Sequence, residues 1–467
     1  MRTASKTITC DRYLAALAYP RAIHRTTMSN QETLASDPKV VFDVDKGLRV
    51  SISRPGFGKL KLDKLPVDYE RYLIKSDPEF VNHNSKKRAS SATDNPEKLV
   101  AAVVPASNHK SPSKVQQRST WIATRATQLR WFSKPGFPKP LPPMKPKCAV
   151  KETSDGMGLG VFATQDISRY DVVLVERPFL ATPLSLSHLG PITNEAYGRL
   201  TTNQINQLML LNADAYLEKV FDKTMSDEDR VEFMALGNSH TEDGSGPIIG
   251  RSRTNGFALE FGCSSTDNEF YRTGYTFVTR IGSRFNHSCI TDVKQSFDPM
   301  TFAVTFRAER DIKAGQQIFL SYTLFNQSKA ERQADLAPYG FECKCRACVN
   351  ATPQSDQLRK MCGVLIRNWQ RQLENVWLKD PNLKESVLEP IFAMMKRMED
   401  EGLDELDTGY WDLLVFPYKV YGKLGMKKKE MEAQIKMFEH SLPLMPPEYK
   451  LTARNTLVAL RSRVGRM

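Results

Sequence analysis

Long apolar runs are missing from this chain: none of its 467 residues belongs to a stretch approaching the about 18 consecutive apolar positions that a membrane-crossing helix needs. A soluble chain with no membrane partner is therefore expected. Cysteine is scarce too. Eight in the whole sequence are too few for a secreted disulfide framework, and their clustering favours metal ligation in a reducing compartment. Acid is missing locally: residues 98–147 contain ten Lys and Arg and no Asp or Glu. Residues 1–147 hold 27 basic against 12 acidic side chains, and the remainder 39 against 41. The formal net charge of +13 is thus an N-terminal property.

What is present suffices for a globular core. Hydrophobic residues make up 40% of the chain, and its length suits roughly three domains. In the acid-free tract Trp121, Trp131, Phe132 and Phe137 alternate with basic residues, the pattern of an arm that could contact nucleic acid. The same composition describes a solvated linker. Residues 1–146 are accordingly read as a basic N-terminal region, largely linker or disordered, ending in a proline-rich spacer over 134–147. Arg2, Lys6, Arg12, Arg21 and Arg25 face only Asp11, an acid-poor composition shared with mitochondrial transit peptides, although Pro20 interrupts any helix there. Lys86-Lys87-Arg88 is a short candidate for nuclear import. Nucleus, cytoplasm and mitochondrion all stay open.

Beyond residue 147 the strand signals are short and frequent. Gly160-Val161-Phe162-Ala163 precedes a turn, 172–175 is a β-branched run, and 301–308 alternates so that Phe302, Val304 and Phe306 share a face. Residues 203–236 have helical spacing and 237–250 form a polar, glycine-rich loop. From 358 onward apolar stripes at helical period recur through 442. The fold class is α+β, with a β-rich domain at 147–325 carrying a helical insertion at about 183–262. A cysteine-rich segment at 326–350 follows, then a helical region at 351–467.

Two stretches carry the chemistry. Cys343-Lys344-Cys345-Arg346-Ala347-Cys348 places three thiols within six residues, and zinc prefers four in a closed tetrahedron. Cys289, after Asn286-His287-Ser288, is the first choice for the fourth ligand and Cys362 the alternative. Lys344 and Arg346 would offset the thiolate charge. Such a site is structural, since a catalytic zinc keeps an open position, and it contributes on the order of 10 kcal/mol to ordering a segment. Gly156-Met157-Gly158-Leu159-Gly160 is a turn that a ligand could approach closely. By itself it fits no dinucleotide fingerprint, because no helix follows.

The ordered series Gly156 to Ala163, Asn286-His287-Ser288-Cys289, Ala308 to Gly315, Leu320-Ser321-Tyr322 and Tyr339 to Cys348 resembles the SET domain of protein lysine methyltransferases, specifically the SMYD-like and fungal subgroup. The resemblance spans roughly residues 147–350. It implies a β-rich fold threaded by a pseudoknot, S-adenosylmethionine on one side, a lysine entering from the other, and a structural zinc on Cys289, Cys343, Cys345 and Cys348. It further implies Tyr322 as the catalytic tyrosine of the transfer channel. Met157, Gly158, Leu159, Asn255, Ser283, Asn286, His287, Tyr339 and Phe341 would contact the cofactor. A monomer acting on a protein lysine, histone or non-histone, is the expectation.

The sequence also departs from that pattern. Residues 183–262 lack cysteine, so the MYND finger usual in SMYD proteins has no ligands there. Met157 and Leu159 replace more polar side chains, and Gln316 and Gln317 replace acidic ones. A SET-fold binding module with weak or no turnover, recruited to chromatin or RNA, is the alternative reading. Methyl transfer itself needs a neutral amine, and a lysine is neutral in only about one molecule in two thousand at pH 7. An apolar channel beside a sulfonium lowers that pKa, so neither a catalytic metal nor a histidine base is required.

Overall fold

The computed structural model describes residues 60–81, 95–106, 117–154, 156–184, 189–260, 274–405, 408–442 and 447–466. The basic segment 2–25 and Lys86-Lys87-Arg88 lie outside them. Described residues up to 361, with 401–403, cluster as one unit; residues 362–400 and 404–466 belong to another.

Among the described residues the first unit is built on twelve short strands: β1 Leu99–Val104, β2 Ser119–Thr124, β3 Cys148–Glu152, β4 Leu159–Ala163, β5 Val172–Glu176, β6 Leu180–Pro183, β7 Phe257–Glu260, β8 Gly274–Val278, β9 Asn286–His287, β10 Val293–Asp298, β11 Ala303–Ala308 and β12 Gln317–Leu320. They form three sheets, ordered β1-β2-β6-β8-β7, β10-β11-β5 and β3-β4-β12-β9. The alternation in β11 acts as period-two patterning should, with Val304, Phe306 and Ala308 fully buried and Thr305 and Arg307 not. Phe302 is fully buried too but lies just before the strand, at φ +52°. These buried side chains meet Val161, Phe285 and Leu320 in one apolar core.

Over residues 95–106 and 117–146 the structure has packed elements where the composition reads as linker. Strands β1 and β2 pair antiparallel from Leu99↔Thr124 to Val104↔Ser119, and β2 joins β6 in parallel register. Helix α1, Arg125–Phe132, follows directly, capped by the Thr124 side chain. The aromatics of the basic tract face inward. Trp121 is fully buried, with ring centroids 5.1 Å from Phe302 and 5.9 Å from Phe132. Trp131 is buried as well, 5.7 Å from Phe137. Both are core residues of the β-rich unit, and Phe132 and Phe137 pack against that core half-buried. The domain starts well before residue 147, and the proline-rich stretch is tied to it where Arg177 donates to Lys139 O (2.8 Å) and Thr301 O (3.0 Å). Burial lowers the Arg177 pKa to about 10.

Between β6 and β7 run α2 Asn194–Arg199, α3 Thr202–Thr224, α4 Asp227–Met234 and α5 Pro247–Asn255. A capping box of Thr201 and Gln204 starts α3. Its buried Leu210, Leu217, Val220 and Phe221 pack with Phe179 and Phe233. After β12 come α6 Lys329–Leu336 and the short α7 Arg346–Val349. The helical part continues with α8 Pro353–Asn375, α9 Glu389–Glu401, α10 Tyr410–Lys423, α11 Lys427–Ser441 and α12 Pro447–Val464. Their stripes bury Ile391, Met394, Leu413, Phe416, Met437 and Leu457. Among the described residues no helix is long and apolar enough to cross a membrane.

Trp121→Ala should lower the stability of the full chain by about 3–5 kcal/mol, the cost of emptying an aromatic core position. Urea unfolding checks it, and a loss within about 0.5 kcal/mol, typical of surface sites, would return residues 119–124 to a solvated arm.

Candidate active site

The local fold around Asn286 brings distant segments together. Strand β9 is only two residues long, yet it pairs in parallel with β12 through Phe319↔Asn286 and Leu320↔His287. The Asn286 amide donates to Leu159 O at 3.2 Å, which reaches the glycine turn between β3 and β4. In that turn Gly156 (φ +79°) and Gly158 (φ +74°) take left-handed backbone, and a Cβ at either would meet nothing within 4 Å. Gly160 is different: a Cβ there would lie 2.7 Å from Gln317 Nε2 and 3.1 Å from Asn286 Nδ2. The turn is therefore open on one side and tightly seated on the other, as a backbone cradle for a ligand requires. The side chains of Met157 and Leu159 are exposed.

A small cleft is lined by Thr254, Asn255, Phe257, Ser283, Phe285 and Leu320, with Tyr322 and Tyr339 completing the wall. Its floor is held by Glu176, the last residue of β5, whose fully buried carboxylate accepts N–H bonds from Gly282 (2.7 Å) and Ile281 (3.1 Å). Ser283 donates to Asn255 O at 2.8 Å and accepts from Thr279 N–H at 2.9 Å. The Asn255 amide is spent on Gly237 O and Arg251 O, at 2.7 and 2.8 Å.

Tyr322 donates its hydroxyl proton to Phe285 O at 2.5 Å. Burial, with Tyr339 beside it, pushes its pKa well above the usual phenol range. It is a neutral phenol at physiological pH, and with its one proton committed, the oxygen lone pairs are what it can offer an incoming amine. Geometry thus suits a hydrogen-bond acceptor that orients an amine rather than a phenolate base. Tyr339 lies 5.1 Å from Tyr322 and 6.4 Å from Phe341 between ring centroids, and burial raises its pKa to about 12. The His287 ring lies tilted, 5.2 Å from Tyr322 and 6.0 Å from Phe341 between centroids. Its Nδ1 accepts the Tyr322 backbone N–H at 2.9 Å, which leaves the proton on Nε2, 3.3 Å from Cys289 Sγ. Burial lowers the His287 pKa to about 4.

The thiols of Cys289, Cys343, Cys345 and Cys348 lie within 4.8 Å of one another. Cys289 Sγ is 3.8 Å from Cys343 and 3.5 Å from Cys348. A zinc tetrathiolate with bonds of 2.3 Å has edges of about 3.8 Å, so the donor set fits a closed tetrahedral ion. The group is completed by Cys289, and Cys362 is not a member. Lys344 and Arg346 are exposed on the surface.

Asn255, Ser283, Tyr322 and Tyr339 therefore share the cleft wall, while Asn286 belongs with the glycine turn, and His287 and Phe341 with the tyrosines. Phe257, Phe285 and Glu176 escaped the sequence reading. Phe285 stands immediately before the Asn-His pair and could have been found there; Glu176 gave no signal beyond following a β-branched run.

The SET domain family matches residues 158–323. These residues carry a SET domain. Among curated relatives it is 30% identical to "Histone-lysine N-methyltransferase set5" of Schizosaccharomyces pombe over 34% of this chain and 49% of the relative. It is 23% identical to a "Methyltransferase" of Gibberella zeae over 63% of this chain and 43% of the relative. The chain thus spans about half the length of the first relative and less of the second. Among solved structures, the SET domain of LSMT bound to lysine and AdoHcy aligns with 68% of this chain and 78% of its own at 13% identity and a TM-score of 0.26.

The Glu176 carboxyl has its pKa raised above the ordinary 4.5, burial outweighing its backbone hydrogen bonds. The folded state then holds this proton more tightly than the unfolded one, so its contribution to stability is fullest below that value and declines as pH rises above it. Glu176→Gln should flatten that part of the pH dependence in urea unfolding as pH rises above 4.5. Equal slopes in wild type and variant would contradict the assignment.

Proposed function

We propose that the chain is an S-adenosylmethionine-dependent protein-lysine N-methyltransferase, with histone lysines the first substrates to test because curated relatives bear that name. The observation that carries the reading is Tyr322, a buried neutral phenol locked to Phe285 O at the wall of an aromatic cleft. The backbone of the turn at Met157, Gly158 and Leu159, together with Asn286, would hold the cofactor, and Tyr339 and Phe341 would cover it. Bound there, it would supply an electrophilic methyl group. The protein's part is to bring a neutral amine in line, keep water out and accept an amine N–H on the Tyr322 oxygen. Apolar walls from Phe257, Phe285 and Leu320 lower the pKa of an entering lysine by penalising its charged form. The four cysteines would hold a structural zinc.

The exposed apolar side chains of Met157 and Leu159 favour one competing reading, a SET-fold binding module without turnover. The two separate on cofactor binding and turnover. With methyl-labelled cofactor and histones plus cell extract, the full chain should label lysine. Tyr322→Phe should lower the rate by about 10²-fold or more while calorimetry shows cofactor affinity unchanged. Binding without any lysine labelling would leave the binding module, and full labelling by Tyr322→Phe would remove Tyr322 from the chemistry.

A further inference from the structure

The metal-site expectation leaves a charge unaccounted for. Four thiolates around one divalent ion carry a net charge of about −2, and the two cations that flank them in sequence, Lys344 and Arg346, point into solvent. A third cation is buried against the sulfurs instead. Arg332 sits on α6, a helix opened by the capping box of Ser328 and Glu331, and it is 1% exposed. Its Nε donates to Cys289 Sγ at 3.2 Å and its Nη2 to Cys348 Sγ at 3.7 Å. The rest of the guanidinium is satisfied by Gln327 O at 2.7 Å and Ala347 O at 3.5 Å.

A guanidinium removed from water costs several kcal/mol unless negative charge faces it. Two carbonyls and two neutral thiols do not supply that charge. Thiolates do, and metal-bound thiolates are the form in which four can be packed together. Cys289 is the point where contacts converge, because the same sulfur also faces His287 Nε2 at 3.3 Å while His287 Nδ1 accepts the backbone N–H of Tyr322. A continuous chain of hydrogen bonds therefore runs from Arg332 through Cys289 and His287 to the main chain of the candidate catalytic tyrosine.

We propose that Arg332 is the buried counter-charge of the four-cysteine metal site, anchored at Cys289. This rests on the reading of the four cysteines as a metal site and not on any methyltransferase activity. The guanidinium neutralises part of the thiolate charge and fixes the orientation of the Cys289 sulfur. Lysine could restore the charge but not the forked donation to two sulfurs.

The full chain is expressed with zinc as wild type, Arg332→Met and Arg332→Lys. Bound metal is counted, its release to excess EDTA is timed, and the cobalt-substituted proteins are compared by absorption. Wild type should hold one zinc. Arg332→Met should release it about 10- to 100-fold faster, the usual range for losing an outer partner of a metal ligand, and Arg332→Lys should fall between. The thiolate-to-cobalt charge-transfer band should shift to lower energy in Arg332→Met, because sulfur that loses an N–H donor gives up electrons more readily. Release at the wild-type rate with an unshifted band would overturn the proposal. Should Arg332→Met not fold, Arg332→Lys decides: faster release supports the assignment, and a wild-type rate refutes it. A wild-type chain holding no metal would instead overturn the metal reading beneath it.

Discussion

Everything in the site depends on where the four residues from Asn286 to Cys289 are held. Two backbone pairings to β12 fix Asn286 and His287, the Asn286 amide fixes the glycine turn, and Cys289 stands with three cysteines from more than fifty residues later in the chain. One tetrapeptide thus links the glycine turn, the backbone of Tyr322 and a cluster of four cysteines that could hold a metal. No single contact here is strong. Their convergence on a rigid strand is what makes the arrangement specific, since moving one partner disturbs the other two.

The cleft illustrates how burial chooses the chemistry available. Tyr322 and Tyr339 are both pushed toward the neutral phenol, so the wall carries hydroxyl dipoles without net charge. A cationic lysine would be unwelcome there and a neutral amine tolerated. Under the proposed function, such a wall would select the reactive form of the substrate by excluding the unreactive one. Glu176, buried behind the wall, sets the turn that aims Ser283 and Phe285 at the cleft.

Much of this was legible in the sequence because it rests on local signals. Three cysteines in six residues, a glycine-rich turn and Asn-His ahead of a fourth cysteine are chemical patterns that survive without knowledge of the fold. The helical stripes after residue 358 were legible for the same reason. Strands β1 and β2 were not. Their basic, proline-flanked surroundings read as a solvated arm, and only tertiary pairing with β6 shows that Trp121 and Trp131 face inward. Arg332 was equally invisible, being an ordinary arginine in a polar helix whose meaning depends on two sulfurs sixteen and forty-three residues away.

The central claim is that the metal clasps residues 339–348 onto the Asn286–Cys289 segment and so completes the pocket. Amide hydrogen exchange over residues 339–348, measured together with calorimetric S-adenosylmethionine binding before and after zinc is stripped, tests it most directly. The account predicts that stripping the metal removes both the protection of that segment and the binding. Unchanged protection and binding in the metal-free chain would contradict it.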